Sequence, residues 1–397
     1  DIISTAVPDG DTYKITGQKI FISAGDYQGV ENVVHLVLAR IKGAPAGTKG
    51  ISLFVVPKNR PDSTGNLSSN DVNTIGDFQK MGQRGYCTTH LSFGDKNDCQ
   101  GWLVGEPHQG LKYMFLMMNS ARISVGRGAA AITMAAYQAS LAYAKERPQG
   151  RSLTSTGKKD VFEDQTLIIN HPDVKRMLLL QKVVTEGALS LILLSSKFQD
   201  LSTTHPDADE REKYLDLLEI LTPIAKTYPS EMGAVSVSNG LQVLGGYGFC
   251  ADFVLQQYFR DIRIFSIYEG TTGIQSLDLL GRKVTMNNGK AVELLLAEIG
   301  KSINEASGYK DLTSYVQKLG GKLDLVKEVL QFLLPFANKG EFERFLSDAT
   351  VFMEFLGNIV IGWLWLDMAT KAQIALTSGD TAYSQEFYMG KIHAMKF

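Results

Sequence analysis

The run Arg260-Asp261-Ile262-Arg263-Ile264-Phe265-Ser266-Ile267-Tyr268-Glu269-Gly270-Thr271-Thr272-Gly273-Ile274-Gln275 sets a carboxylate between an aromatic and a glycine, where a loop enters a helix. Gly270 lets a ligand or another backbone approach closely. Ile264, Phe265, Ile267 and Tyr268 would desolvate Glu269 and strengthen it as a base. A plainer origin is an acidic residue in the first turn of a helix, where the macrodipole favours it. Local features alone lean to that plainer origin, as they do for most short motifs.

Three further constellations bear on chemistry. Gln242-Val243-Leu244-Gly245-Gly246-Tyr247-Gly248 ends a helical stretch in glycines that permit positive φ and close contact with a cofactor. A helix C-cap calls for glycine by itself. Phe21-Ile22-Ser23-Ala24-Gly25 closes a strand, and residues two apart share a strand face. Phe21 could pack on a flat cofactor ring and Ser23 could hydrogen-bond it; an ordinary edge strand has the same composition. In Ser120-Ala121-Arg122 an arginine lies among Ala, Ile and Val near a helix start. That pattern fits an anionic partner, or a surface arginine that snorkels.

The elements that must position these residues change character along the chain. Residues 13–23, 33–41, 50–56 and 88–93 read as strands separated by Gly and Pro clusters, favouring an antiparallel sheet or small barrel. From Leu111 to Arg147 apolar residues recur at helical spacing. A second helix opens at His171-Pro172-Asp173 and runs to about Ser196. A third runs from Glu212 to Leu244, a stretch that Pro223 and Pro229 could interrupt, and a fourth follows Glu269. Long helices joined by loops imply a bundle. A further helical region with Trp363 and Trp365 begins near Ala291. The expected class is α+β: a β domain at 1–108, a helical bundle at 109–286 and an additional helical domain at 287–397.

The chain has 397 residues, long enough for two or three domains. With a formal net charge of −2, no strong field steers it to nucleic acid or to an acidic membrane. The densest apolar stretch, Ile359 to Leu366, is too short to span a bilayer. Cys87, Cys99 and Cys250 have neither metal nor redox spacing, so no metal site is expected and a reducing compartment fits. Asp1 stands where an initiator Met is usual and runs almost at once into a strand, so we expect a longer polypeptide upstream.

Taken together and in this order, the four segments resemble the acyl-CoA dehydrogenase family over roughly residues 1–285. The resemblance implies a middle β domain followed by a four-helix bundle, an FAD cofactor and an acyl-CoA substrate. It also implies electron-transfer flavoprotein as acceptor, a homo-oligomer (a dimer for the larger members), and a bacterial cytoplasmic or mitochondrial matrix location in fatty-acid β-oxidation. Glu269 matches the family's catalytic carboxylate. Some members carry that base just before the arginine matching Arg122, but here that position is Ala121. Phe21, Ile22 and Ser23 match a flavin-contacting stretch that usually holds Trp and Thr. Asn119, Arg122 and Gly270 match substrate-side positions, and Thr271 matches a further flavin contact. Arg147 and the stretch Gln242, Val243, Leu244, Gly245 and Gly246 match residues that reach the FAD of a neighbouring subunit. Pro148-Gln149-Gly150 replaces the Phe-Gly pair that usually follows that arginine. The segment after 285 is similar to the extra helical domain of the very-long-chain type and of bacterial enzymes for methylthio-propanoyl-CoA. In the family the base removes the α proton while a hydride leaves the β carbon for the flavin. The catalytic Glu N–H and a flavin ribityl hydroxyl stabilise the thioester oxygen. Acyl-CoA oxidases share the fold and the base, and some relatives of the fold act as DNA-associated stress proteins with a basic surface.

Overall fold

A computed structural model of the chain describes residues 2–153, 156–159 and 162–397, with Asn119 placed by its backbone only. It divides into two compact units, Asp1–Ser120 and Ala121–Phe397.

The first unit holds nine strands among the described residues: β1 (Thr5–Asp9), β2 (Thr12–Ser23), β3 (Val34–Ile41), β4 (Ile51–Pro57), β5 (Asn59–Pro61), β6 (Leu67–Ser69), β7 (Val72–Asp77), β8 (Thr88–Phe93) and β9 (Gln100–Leu103). Seven of them pair in the order β1-β3-β4-β9-β2-β8-β7, and β1 also pairs with β2. That second pairing closes β1, β3, β4, β9 and β2 into a small ring. Burial alternates along β3, where His35, Val37 and Ala39 face inward, whereas β4 is buried almost throughout between two neighbours. Ala6, Ile15, Phe54, Val56, Leu91 and Phe93 fill the interior. An antiparallel sheet or small barrel was expected; β1 and β3 run parallel, because β2 reverses the chain after β1 and β3 reverses it again. Near its end, β2 shifts register against β8 between Lys19 and Ile22. This bulge carries Phe21 into the left-handed region at φ 59°.

Ten helices follow among the described residues: α1 (Gly110–Glu146), α2 (Pro172–Thr204), α3 (Ala208–Leu244), α4 (Leu255–Ile262), α5 (Thr272–Asp278), α6 (Lys290–Ala306), α7 (Thr313–Asn338), α8 (Phe342–Leu346), α9 (Ala349–Ser378) and α10 (Gln385–Lys396). The division between the units falls inside α1. Pro223 and Pro229 do not interrupt α3, which is continuous and buries both. A proline removes one ladder bond and leaves the carbonyl four residues earlier free. For Pro229 that carbonyl is on Ala225, and it packs against Gly126 of α1 so closely that a methyl at 126 would collide with it. The helix after Glu269 is only α5, short, and it passes into a π-turn at Leu279–Lys283.

No core boundary lies near residue 286. Leu217, Leu221 and Ile224 of α3 share one cluster with Leu295, Val326, Phe345, Leu356 and Trp365. The helices after 286 therefore extend the bundle's core within the second unit. Two segments, Pro172–Thr204 and Phe342–Ser378, are long and apolar enough to cross a membrane by composition, which the short stretch 359–366 did not foretell. Both contribute to this same protein core.

Candidate active site

Glu269 stands on a short link between a 3-10 turn (Arg263–Ser266) and α5. Its φ of 53° and the 89° of Gly270 make two successive left-handed residues. Such a conformation is costly for a side chain with a Cβ and persists where surrounding contacts over-determine it. Phe265 and Ser266 turn into the core, and the Tyr268 ring meets Phe265 edge-on at 5.4 Å. Ile267 is exposed, and so is Glu269. The apolar neighbours thus do not desolvate the carboxylate as expected, because the left-handed turn directs it away from the face that Phe265 and Ile262 bury.

Both carbonyls of this link are held from beneath. The Gln275 side-chain amide donates to the Glu269 carbonyl at 3.0 Å, and the Lys226 ammonium donates to the Gly270 carbonyl at 2.6 Å. Lys226 and Gln275 are both fully buried. Burial pushes the Lys226 amine down to about 8; Glu231 and Glu269 oppose that shift and the Arg122 cation adds to it. Thr272 donates its hydroxyl to Glu231, and the Thr271 hydroxyl caps α5 by accepting from the Ile274 N–H at 3.4 Å. Thr271 is itself exposed. A cavity of about 460 Å³ opens beside this corner, lined by Tyr228, Glu231, Thr272 and Met353 among others. Neither Lys226 nor Gln275 was singled out from sequence. The available signal for Lys226 was a lone cation in the apolar run Leu221-Thr222-Pro223-Ile224-Ala225-Lys226.

Arg122 is 4% exposed, which removes the snorkelling alternative, and its anion is internal: Nη1 donates to Asp278 at 2.8 Å. Asp278 also accepts from Arg282 at 2.6 Å. The Arg122–Asp278 pair ties α1 to the C-terminal end of α5. The Asn119 side chain lies outside the described residues.

The cofactor-side candidates fall into two places. At the end of β2, Phe21 and Ser23 are exposed while Ile22 packs toward the sheet core. The Phe21 ring stacks on Phe78 at 4.7 Å, which makes an open aromatic platform. In the second unit, Arg147 follows the last residue of α1 and stacks over the Tyr247 ring at 5.8 Å. Its Nε is buried with no partner among the described residues. Gln242, Gly245 and Gly246 beside it are exposed; Gly245 has φ 60°, and a methyl on either glycine would meet nothing within 4 Å. Val243 and Leu244 differ from expectation: their side chains belong to the core with Met177 and Leu255, which leaves only their backbone to face a ligand. Arg122 and Arg147 are 25 residues apart on or beside one continuous helix, so about 38 Å separates the two ends of the bundle.

Comparison with known proteins adds to this geometry. Residues 108–284 match the family description "Acyl-CoA dehydrogenase, C-terminal domain", and residues 295–397 match "Acetyl-CoA dehydrogenase C-terminal like". A butyryl-CoA dehydrogenase of Syntrophomonas wolfei is 36% identical over 97% of this chain and 63% of its own length. A 3-methylmercaptopropionyl-CoA dehydrogenase of Ruegeria pomeroyi is 37% identical over 98% of this chain and 64% of its own. The chain thus spans less than two thirds of the relatives it matches. Among solved structures, Caenorhabditis elegans ACDH-11 in complex with C11-CoA aligns at a TM-score of 0.73 with 24% identity, over 99% of this chain and 60% of that one. An acyl-CoA dehydrogenase complexed with FAD from Bacillus anthracis aligns at 0.71 with 21% identity, over 99% of this chain and 64% of that one. At those identities the structural likeness speaks for the fold.

Proposed function

Since this chain belongs to the acyl-CoA dehydrogenase family, we propose that it carries the catalytic half of an FAD-dependent α,β-dehydrogenation of an acyl-CoA thioester. One observation carries the reading: Glu269 is presented to solvent on a left-handed link whose two carbonyls are fixed by buried side chains. An exposed carboxylate on a fixed backbone is suited to meet a substrate proton at a set position. Glu269 takes the α proton of the thioester. Its own N–H, fixed with the link, donates to the thioester oxygen as enolate charge develops there. Bound FAD supplies the acceptor for the hydride that leaves the β carbon.

The residues present fit that cofactor. Phe21 and Ser23 offer an open aromatic face and a hydroxyl for the flavin ring, and the exposed Thr271 hydroxyl is within the same loop as Glu269. The unpartnered Arg147 Nε and the open backbone of Gly245 and Gly246 suit the anionic part of an FAD. They lie at the far end of α1 from Arg122, and the family residues they match reach the FAD of a neighbouring subunit, so on this reading they serve a second copy. The working form is on this account a homodimer. Light scattering of the flavin-loaded protein should give twice the chain mass, and a stable flavin-loaded monomer would rule that out.

Electron-transfer flavoprotein, or another one-electron carrier, is the proposed acceptor. Steady-state turnover with short acyl-CoA esters should require an added acceptor and release little peroxide in air. Peroxide formed in step with enoyl-CoA, without any acceptor, would instead make this an acyl-CoA oxidase.

A further inference from the structure

We propose that Lys226 and Gln275 are positioning residues for Glu269: from beneath, they grip the two carbonyls of the Glu269–Gly270 link and hold it in the left-handed conformation that presents the carboxylate. The proposal rests on Glu269 being the base and deepens that reading.

Glu269 at φ 53° and Gly270 at φ 89° turn two consecutive carbonyls inward. Each meets a different donor, Gln275 Nε2 at 3.0 Å from the Glu269 oxygen and Lys226 Nζ at 2.6 Å from the Gly270 oxygen. The two donors come from different elements, α5 and α3, so the link is fixed against both. Gly270 is required for this grip, because a methyl there would lie 2.6 Å from Gln275 Nε2 and push it aside. The Gln275 Oε1 is buried without a partner among the described residues, so the Glu269 carbonyl is what orients this amide.

Neither side chain is what packing alone would select. Both positions are fully buried, and a methionine or leucine would fill them without desolvating polar atoms. Lys226 is faced by Glu231 on its own helix, by Arg122 from α1 and by Glu269 from the link. Among the described residues no carboxylate forms an ion pair with its ammonium, whose short hydrogen bond goes to the backbone of Gly270. A lysine kept in such a place is retained for its reach and its donor.

The test uses the full-length flavin-loaded protein and two separate substitutions, Lys226→Met and Gln275→Leu. Three quantities are read: the rate of flavin reduction at saturating acyl-CoA, the dissociation constant of the acyl-CoA, and amide hydrogen exchange over residues 267–274. Each variant should exchange in that segment at least ~10-fold faster, with α2 unchanged, since the link opens locally. Each should slow reduction by ~10²-fold, the effect of displacing a catalytic group by about an ångström. Acyl-CoA binding should stay within about threefold of the starting protein, which separates loss of positioning from loss of binding. Unchanged exchange in 267–274 would overturn the proposal, as would near-normal reduction in both variants. Failure of both variants to fold would also overturn it, by assigning the two side chains to the core. The unsubstituted protein keeps the two readings apart. If no acyl-CoA reduces its flavin, the base assignment fails, while the exchange result still judges the clamp.

Discussion

Glu269→Gln should leave the protein folded, flavin-loaded and able to bind acyl-CoA, yet slow flavin reduction by about 10²- to 10⁴-fold, the usual span for removing a general base. The substitution is nearly isosteric and touches an exposed side chain. The backbone bond from Gln275 to the Glu269 carbonyl and the bond from Lys226 to Gly270 do not involve the carboxylate and survive. No neighbour can take over. Ala121 occupies the place where some relatives carry their base, and Glu231 is engaged by Thr272. The effect should therefore appear in the chemical step and not in binding. Stopped-flow reduction together with calorimetric acyl-CoA binding measures both.

Trp365→Ala should have the largest effect on stability, a loss of roughly 3–5 kcal/mol, as is usual for removing a buried aromatic from a packed core. The indole is 3% exposed and lies in the cluster that joins α3 to the helices after 286. Its N–H donates to the Val183 carbonyl on α2 at 3.1 Å. A methyl group in its place leaves a cavity and a buried carbonyl without its donor. Because α2, α3 and α9 share that core, the second unit should melt in one transition, displaced downward as a whole. At a few degrees per kcal/mol for a unit of this size, the shift is of order 10 °C. Calorimetry checks this. Two separate transitions, with only the later helices affected, would mean that the region after 286 folds as its own domain.

Much of the bundle was legible because long amphipathic and apolar runs announce helices: α1 and α3 begin and end close to their expected places, and α2 begins where expected but runs on to Thr204. The continuity of α3 through its prolines was not legible, because the carbonyl that a proline frees can be covered by a contact from another helix. Here Gly126 offers Ala225 that contact, and the pairing of residue 126 with residue 225 is not visible along the chain. The core shared across residue 286 was not legible for a related reason. A run of helices reads the same whether it extends a core or begins a new one. The Tyr268-Glu269-Gly270-Thr271 signature was legible as a sequence, but its burial was not. The left-handed link at Glu269 sends the carboxylate outward against the local hydrophobic pattern. Lys226 and Gln275 stayed hidden because their importance lies in backbone carbonyls 44 and six residues away.

Anaerobic mixing of the full-length flavin-loaded protein with acyl-CoA, beside the Glu269→Gln form, tests the central claim most directly. The account predicts that the unsubstituted protein loses its oxidised-flavin absorbance on mixing, while the glutamine form binds the same thioester and stays oxidised. Equal bleaching of the two forms would contradict Glu269 as the base, and an unsubstituted protein that binds acyl-CoA without any bleaching would contradict the dehydrogenation itself.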